Sequence, residues 1–222
     1  MAVFITDKYI NENQEKSTVN NYLNDVKFWD KDVESVFKEK GLPLYDASLQ
    51  IKAEAQALAK WIAENKIRSY LEIGVWTGKL ISGLHKEFNF DKLAACDTRS
   101  ATQFGFNIDV PSKTDFFHGN CMSPIYANWR SKLGEIDLVL IDADHSYETT
   151  LHSININSEF KSKYIAVCGI ANNRVASEEE GRGINGVTNI WKEVKAEKTE
   201  LIFPHSEIGL DHSTIGIGIV KL

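Results

Sequence analysis

A chain of 222 residues is long enough for one large α/β domain with a real core. Its formal net charge of −6 and ordinary 43% hydrophobic content argue against a general nucleic-acid binder and against a disordered chain. The three cysteines, Cys96, Cys121 and Cys168, have neither the count nor the spacing of a disulfide framework or a zinc site, which fits a reducing compartment. No run reaches the roughly 18 apolar residues of a membrane helix. The polar start, Met1 to Lys16, lacks the apolar centre of a secretory signal, so a cytoplasmic location away from membranes is expected.

After Ser17-Thr18, Tyr22, Val26, Trp29, Val33, Val36 and Phe37 recur at helical intervals until Gly41 and Pro43. This apolar face either packs on the main domain or serves as a lid or a homodimer contact. Residues 1–46 form a helical extension on this reading, and residues 47–222 the main domain. Within that domain, residues 47–66 predict a helix with Ile51, Ala55, Leu58 and Ile62 turned inward.

The next stretch is the most informative. Tyr70-Leu71-Glu72-Ile73 is an apolar run ending in Gly74-Val75-Trp76-Thr77-Gly78, and a helix pattern from Leu80 to Phe88 follows at once. Strand, glycine turn and helix N-terminus in that order make a place where free N–H groups meet an anionic or polar ligand. Strands and helices then alternate. Leu93 to Cys96 closes on Asp97, Asp115 to His118 on Gly119-Asn120, and Ile136 to Ile141 on Asp142. Helices are expected from Ser123-Pro124 to Lys132, from Ser146 to Phe160 and from Val187 to Lys198. Tyr164 to Ile170 makes a fifth strand, and Leu201 to Phe203 with Ile215 to Val220 an antiparallel closing pair. The plan is a doubly wound, mostly parallel sheet of seven strands with helices on both faces.

Ligands of such sheets bind beyond the carboxyl ends of the strands, where Asp97, Asn120, Asp142, Asn172 and Asn173 gather. Asp97 follows Gly74 at about the 20-residue offset where an acid meets a ribose. Asn120 suits either an adenine edge or a turn. Asp142-Ala143-Asp144-His145-Ser146-Tyr147 is the richest cluster. It could bind a hard divalent ion with Asn172 or Asn173, or take a proton from a substrate, while Asp144 and Ser146 cap the next helix. The glycine-bearing stretch from Asn172 to Asn185 is long enough for a lid over the site.

At these residues the chain resembles the class I S-adenosylmethionine-dependent methyltransferases, over about residues 47–222. Leu71 to Gly78 looks like their first motif, Asp97 like the ribose acid and Gly119-Asn120 like the Gly-Asp at the adenine. Ile141 to Tyr147 is similar to small-molecule O-methyltransferases of the catechol and caffeoyl-CoA type, and to a bacterial group modifying sugars and antibiotics. The resemblance implies a Rossmann-like methyltransferase fold and a cofactor site of Glu72, Gly74, Gly78, Asp97, Asn120, Cys121 and Asp142. It implies catalysis by Asp142 and His145, the latter standing where that type has a lysine base. It also implies Mg²⁺ or Mn²⁺ held by Asp142, Asn172 and Asn173, with asparagine at 172 in place of the type's aspartate. The His-Asp pair of the bacterial group is absent near Cys168-Gly169. Magnesium-assisted methyl transfer to a hydroxyl of a small molecule is the expected activity. The alternatives are a non-catalytic cofactor-binding regulatory protein on the same fold, and a nicotinamide dehydrogenase, which the lack of Gly-x-Gly-x-x-Gly disfavours.

Overall fold

The computed structural model describes residues 50–171, 186–202 and 216–222, with Leu23 and Val26 of the N-terminal segment. In chain order these contain α1 (Lys52–Glu64), β1 (Ser69–Ile73), α2 (Lys79–Phe88), β2 (Lys92–Asp97) and a 3-10 turn (Ser100–Phe104). They continue with β3 (Asp115–His118), α3 (Pro124–Leu133), β4 (Ile136–Ile141), α4 (Tyr147–Glu159), β5 (Ser162–Cys168), α5 (Gly186–Glu193), β6 (Lys198–Leu201) and β7 (Ile217–Lys221).

The sheet runs β3-β2-β1-β4-β5-β7-β6. β1 to β5 pair in parallel, and β7 is antiparallel to both β5 and β6. β1 and β4 are buried almost throughout because helices cover both faces, which is why they read as continuous apolar runs rather than alternating ones. The edge strands β3 and β6 are only partly buried and carry Asp115, Lys198 and Glu200.

Two cores flank the sheet. On one face Leu58 and Ile62 of α1 and Leu80, Ile81 and Leu84 of α2 pack on Tyr70, Leu93, Leu138 and Leu140. On the other, Tyr126 of α3, Ile156 of α4 and Trp191 of α5 pack on Leu71, Ile73, Val139 and Val167. Adjacent residues of one strand thus serve opposite cores, as the two-residue period of a strand requires. Arg130 ties the second core together, fully buried. Its guanidinium donates to Asn157 Oδ1, the carbonyls of Gly134 and Phe160, and Ser162 Oγ.

Leu23 and Val26 lie against Gly83, where a Cβ would come within 2.7 Å of Val26 Cγ2. Of the N-terminal apolar face, Val26 is therefore used inside the chain, with Leu23 beside it. The rest of the expected first helix, the stretch from Asn172 to Asn185, Phe203 and Ile215 lie outside the described residues.

Several boundaries differ from the sequence reading. α5 stops at Glu193, not Lys198, because Lys198 to Leu201 is drawn into pairing with β7, Leu201 opposite Ile217. β6 accordingly starts three residues before the apolar triplet at 201–203 and ends on its first residue, Leu201. β5 begins and ends two residues early, since its register with β4 and β7 runs out at Cys168.

Candidate active site

The carboxyl ends of β1, β2 and β4 are laced together by main-chain bonds. Gly74 donates its N–H to the Cys96 carbonyl at 2.8 Å, and Asp142 donates to the Ile73 carbonyl at 2.8 Å. Gly74 has φ +87°, and a Cβ there would sit 2.1 Å from the Asp142 carbonyl oxygen. Only glycine tolerates both conditions. The turn continues through Trp76, itself at φ 52°, to Gly78 at φ 80°, which is the N-cap of α2. No side chain caps α2 there, whereas Ser123 and Ser146 cap α3 and α4 through their hydroxyls. The Thr77 hydroxyl is buried in this turn and has no hydrogen-bond partner among the described residues.

Asp97 closes β2 with its carboxylate turned onto the same turn. Oδ2 accepts from the N–H groups of Val75 and Trp76 at 3.0 and 3.1 Å, and Oδ1 from that of Arg99. Gly119 joins the group by donating to the Asp97 carbonyl at 2.9 Å. Asn120 is exposed and its Oδ1 accepts from Met122 N–H at 2.8 Å, which is the turn reading of that residue. The Cys121 thiol faces inward and accepts from Ser153 Oγ, and burial pushes its pKa up. Glu72 lies under the turn rather than on it, because residues 70 and 72 share the α1 and α2 face of β1. It is 2% exposed and accepts from Tyr70 OH at 2.7 Å. Burial holds its carboxyl well above the usual range, with the charges of Asp142 and Asp97 acting in the same direction.

Asp142 and His145 meet at the end of the central strand β4. Nε2 of His145 lies 3.1 Å from Asp142 Oδ1, at ion-pair distance but without hydrogen-bond alignment. Contacts of this kind commonly tighten only once a ligand binds. The imidazole is placed by its backbone. His145 has φ 60°, and a Cβ on Gly186 at the start of α5 would fall 2.3 Å from Tyr147 N and 2.9 Å from the His145 carbonyl oxygen. Asp144 is structural: its Oδ1 accepts from Ser146 N and Oγ, and its Oδ2 from Thr149 Oγ1. With Ser146 it caps α4.

The second oxygen of Asp142 is also engaged. Gln50, just before α1, donates from Nε2 to Asp142 Oδ2 at 2.5 Å. Neither Gln50 nor Glu54 figured in the sequence reading. The signal was present in their spacing: Gln50 and Glu54 extend the inward-facing row of Leu58 and Ile62 backwards at four-residue steps. Glu54 is fully buried, with Oε1 accepting from Gly216 N–H at 2.7 Å. Burial pushes its carboxyl up to about 8, against the pull of that N–H.

These donors can be set against the two groups that the resemblance implies. The glycine turn, the Thr77 hydroxyl lacking a partner, the uncapped start of α2 and the Asp97 carboxylate fit a cofactor that carries a ribose and charged groups. For a divalent ion the described residues offer only Asp142 of the three implied ligands. Asp142 is a single carboxylate with an amide N–H already on Oδ2, and no group of three His, Cys, Asp or Glu side chains suited to a metal occurs among the described residues. Asn172 and Asn173 lie outside them.

No family model matches the chain, and no curated protein matches it. Solved structures do match. The O-methyltransferase TomG from Streptomyces achromogenes, involved in tomaymycin synthesis and crystallised with S-adenosylmethionine, aligns with 14% identity and a TM-score of 0.58. The alignment covers 97% of this chain and 95% of that one. The O-methyltransferase from Bacillus cereus, in complex with S-adenosylhomocysteine, aligns with 14% identity and a TM-score of 0.54, over 97% and 96% of the two chains. The chain therefore has the Rossmann-like fold of class I S-adenosylmethionine-dependent O-methyltransferases. No helix among the described residues is long and apolar enough to cross a membrane.

Proposed function

We propose that the protein is a methyltransferase that passes a methyl group from S-adenosylmethionine to a hydroxyl of a small molecule. The reading rests on one observation above all: His145, held in a left-handed conformation at the end of β4, stands against Asp142 beside the Gly74 turn. When bound, the sulfonium cofactor supplies an already activated methyl group. The protein has then to hold the hydroxyl in line with it and to remove a proton. The turn from Gly74 to Gly78 and the α2 N-terminus would hold the charged end of the cofactor, and Asp97 its ribose. His145 is the base. Once bound ligands bring Nε2–H into line with Asp142, the other ring nitrogen, Nδ1, is left to take the hydroxyl proton. The imidazolium formed on taking that proton would be stabilised by the Asp142 carboxylate.

The Mg²⁺ or Mn²⁺ implied by the resemblance is given no step in this mechanism: of its implied ligands only Asp142 lies among the described residues, and its Oδ2 already accepts from Gln50. Titration calorimetry with S-adenosylhomocysteine and NAD tests the cofactor, with binding of the first alone expected. Transfer of labelled methyl from S-adenosylmethionine to a panel of catechols, sugars and other hydroxylated compounds tests the reaction. Cofactor binding without any transfer would favour the non-catalytic alternative.

A further inference from the structure

Asp142 has a partner that its own segment does not supply. Gln50 reaches it from the entrance of α1, and the same Nε2 lies 3.6 Å from Cys168 Sγ at the end of β5. An amide nitrogen carries two hydrogens, and here each has an acceptor. Gln50 is 3% exposed, so water competes poorly for either. The arm is held as well: Ala55, Leu58 and Ile62 anchor α1 in the core, and Glu54 accepts from Gly216 N–H just before β7.

We infer that Gln50 is the positioning residue for Asp142, and that its amide takes the place on the carboxylate that a divalent ion would occupy. Donor and cation compete for the same lone pairs, and a carboxylate pinned at Oδ2 presents Oδ1 to His145 in one orientation. A neutral donor does this without cancelling the charge that the imidazolium needs. Glutamate at position 50 would have nearly the same shape but would set a second carboxylate against the first, which is a cation site. The inference about catalysis rests on the methyltransferase reading; the inference about Asp142 does not.

The test uses the full chain without ligands. Mn²⁺ binding is followed by the electron paramagnetic resonance of the free ion, and the His145 ring by its ¹⁵N shifts at fixed pH. Wild type is expected to leave millimolar Mn²⁺ free, and Gln50→Glu to bind it at least about tenfold more tightly. Gln50→Met, which keeps the volume and loses the donor, is expected to change the His145 tautomer signature while S-adenosylhomocysteine affinity stays within about twofold. If Gln50→Glu fails to fold, wild type and Gln50→Met decide the matter without it. Tight Mn²⁺ binding by wild type that Asp142→Asn abolishes would overturn the inference, as would an unchanged His145 signature in Gln50→Met. Failure of wild type to bind S-adenosylhomocysteine would sink the functional reading and leave these two results standing.

Discussion

Gly74 and Asp142 touch so closely that a Cβ on the glycine would overlap the aspartate's carbonyl oxygen at 2.1 Å. The turn after β1 and the acid after β4 are thus one rigid piece. Gly74→Ala meets this clash and a φ of +87° together. It is expected to cost about 2–4 kcal/mol of stability, measured by urea unfolding. A cost below about 0.5 kcal/mol would mean that the turn has room the structure denies it.

Asp97 serves two partners in the cofactor reading: the turn, through Val75 and Trp76, and a ribose. Asp97→Ala should weaken S-adenosylhomocysteine binding by about 1–3 kcal/mol, the range for an ionised hydrogen-bond partner. Calorimetry showing unchanged affinity would remove Asp97 from the cofactor site.

His145→Ala should lower turnover by about 10²- to 10⁴-fold, the usual contribution of a general base, with cofactor affinity retained. Turnover by wild type should persist in excess EDTA. Loss of activity on chelation, restored by Mg²⁺, would return the metal to the mechanism.

Glu54 makes stability depend on pH in a defined sense. Its ordinary value is 4.5 and burial raises it to about 8, so between those values the folded chain keeps a proton that the unfolded chain releases. Its contribution is therefore fully present below about pH 4.5 and is lost as pH rises towards 8. Glu54→Gln still accepts from Gly216 but cannot titrate. Wild type should lose stability relative to this variant by up to about 1.4 kcal/mol per pH unit across the window, levelling above it. Parallel denaturation profiles for the two proteins would show that Glu54 is ionised in the fold.

Arg130 joins the ends of α3 and α4 to the start of β5 through neutral acceptors. Arg130→Ala strands several of them in the core and should cost about 3 kcal/mol. Thermal unfolding within a degree of wild type would contradict the closed network seen here.

The sequence by itself determined the strand and helix order, because long periodic runs and local punctuation are written in neighbouring residues. Ser123-Pro124 and Asp144 with Ser146 announced the starts of α3 and α4, and caps act within one turn. That Gly74, Gly78, Asp97, Asp142 and His145 share one edge was legible for a related reason: each stands at or after a strand's end, and parallel strands bring their ends together. What only the tertiary structure decided depends on side chains distant in the chain. The inward burial of Glu72 follows from which core its face of the sheet serves, and that of the Cys121 thiol from its packing against Ser153 of α4. The early stop of α5 follows from the pairing of β6 with β7. Gln50 and Glu54 read as unremarkable helix residues until α1 lies across the sheet. Only then do burial and the close approach of Asp142 and Gly216 turn two polar side chains on an apolar row into the floor of the candidate site.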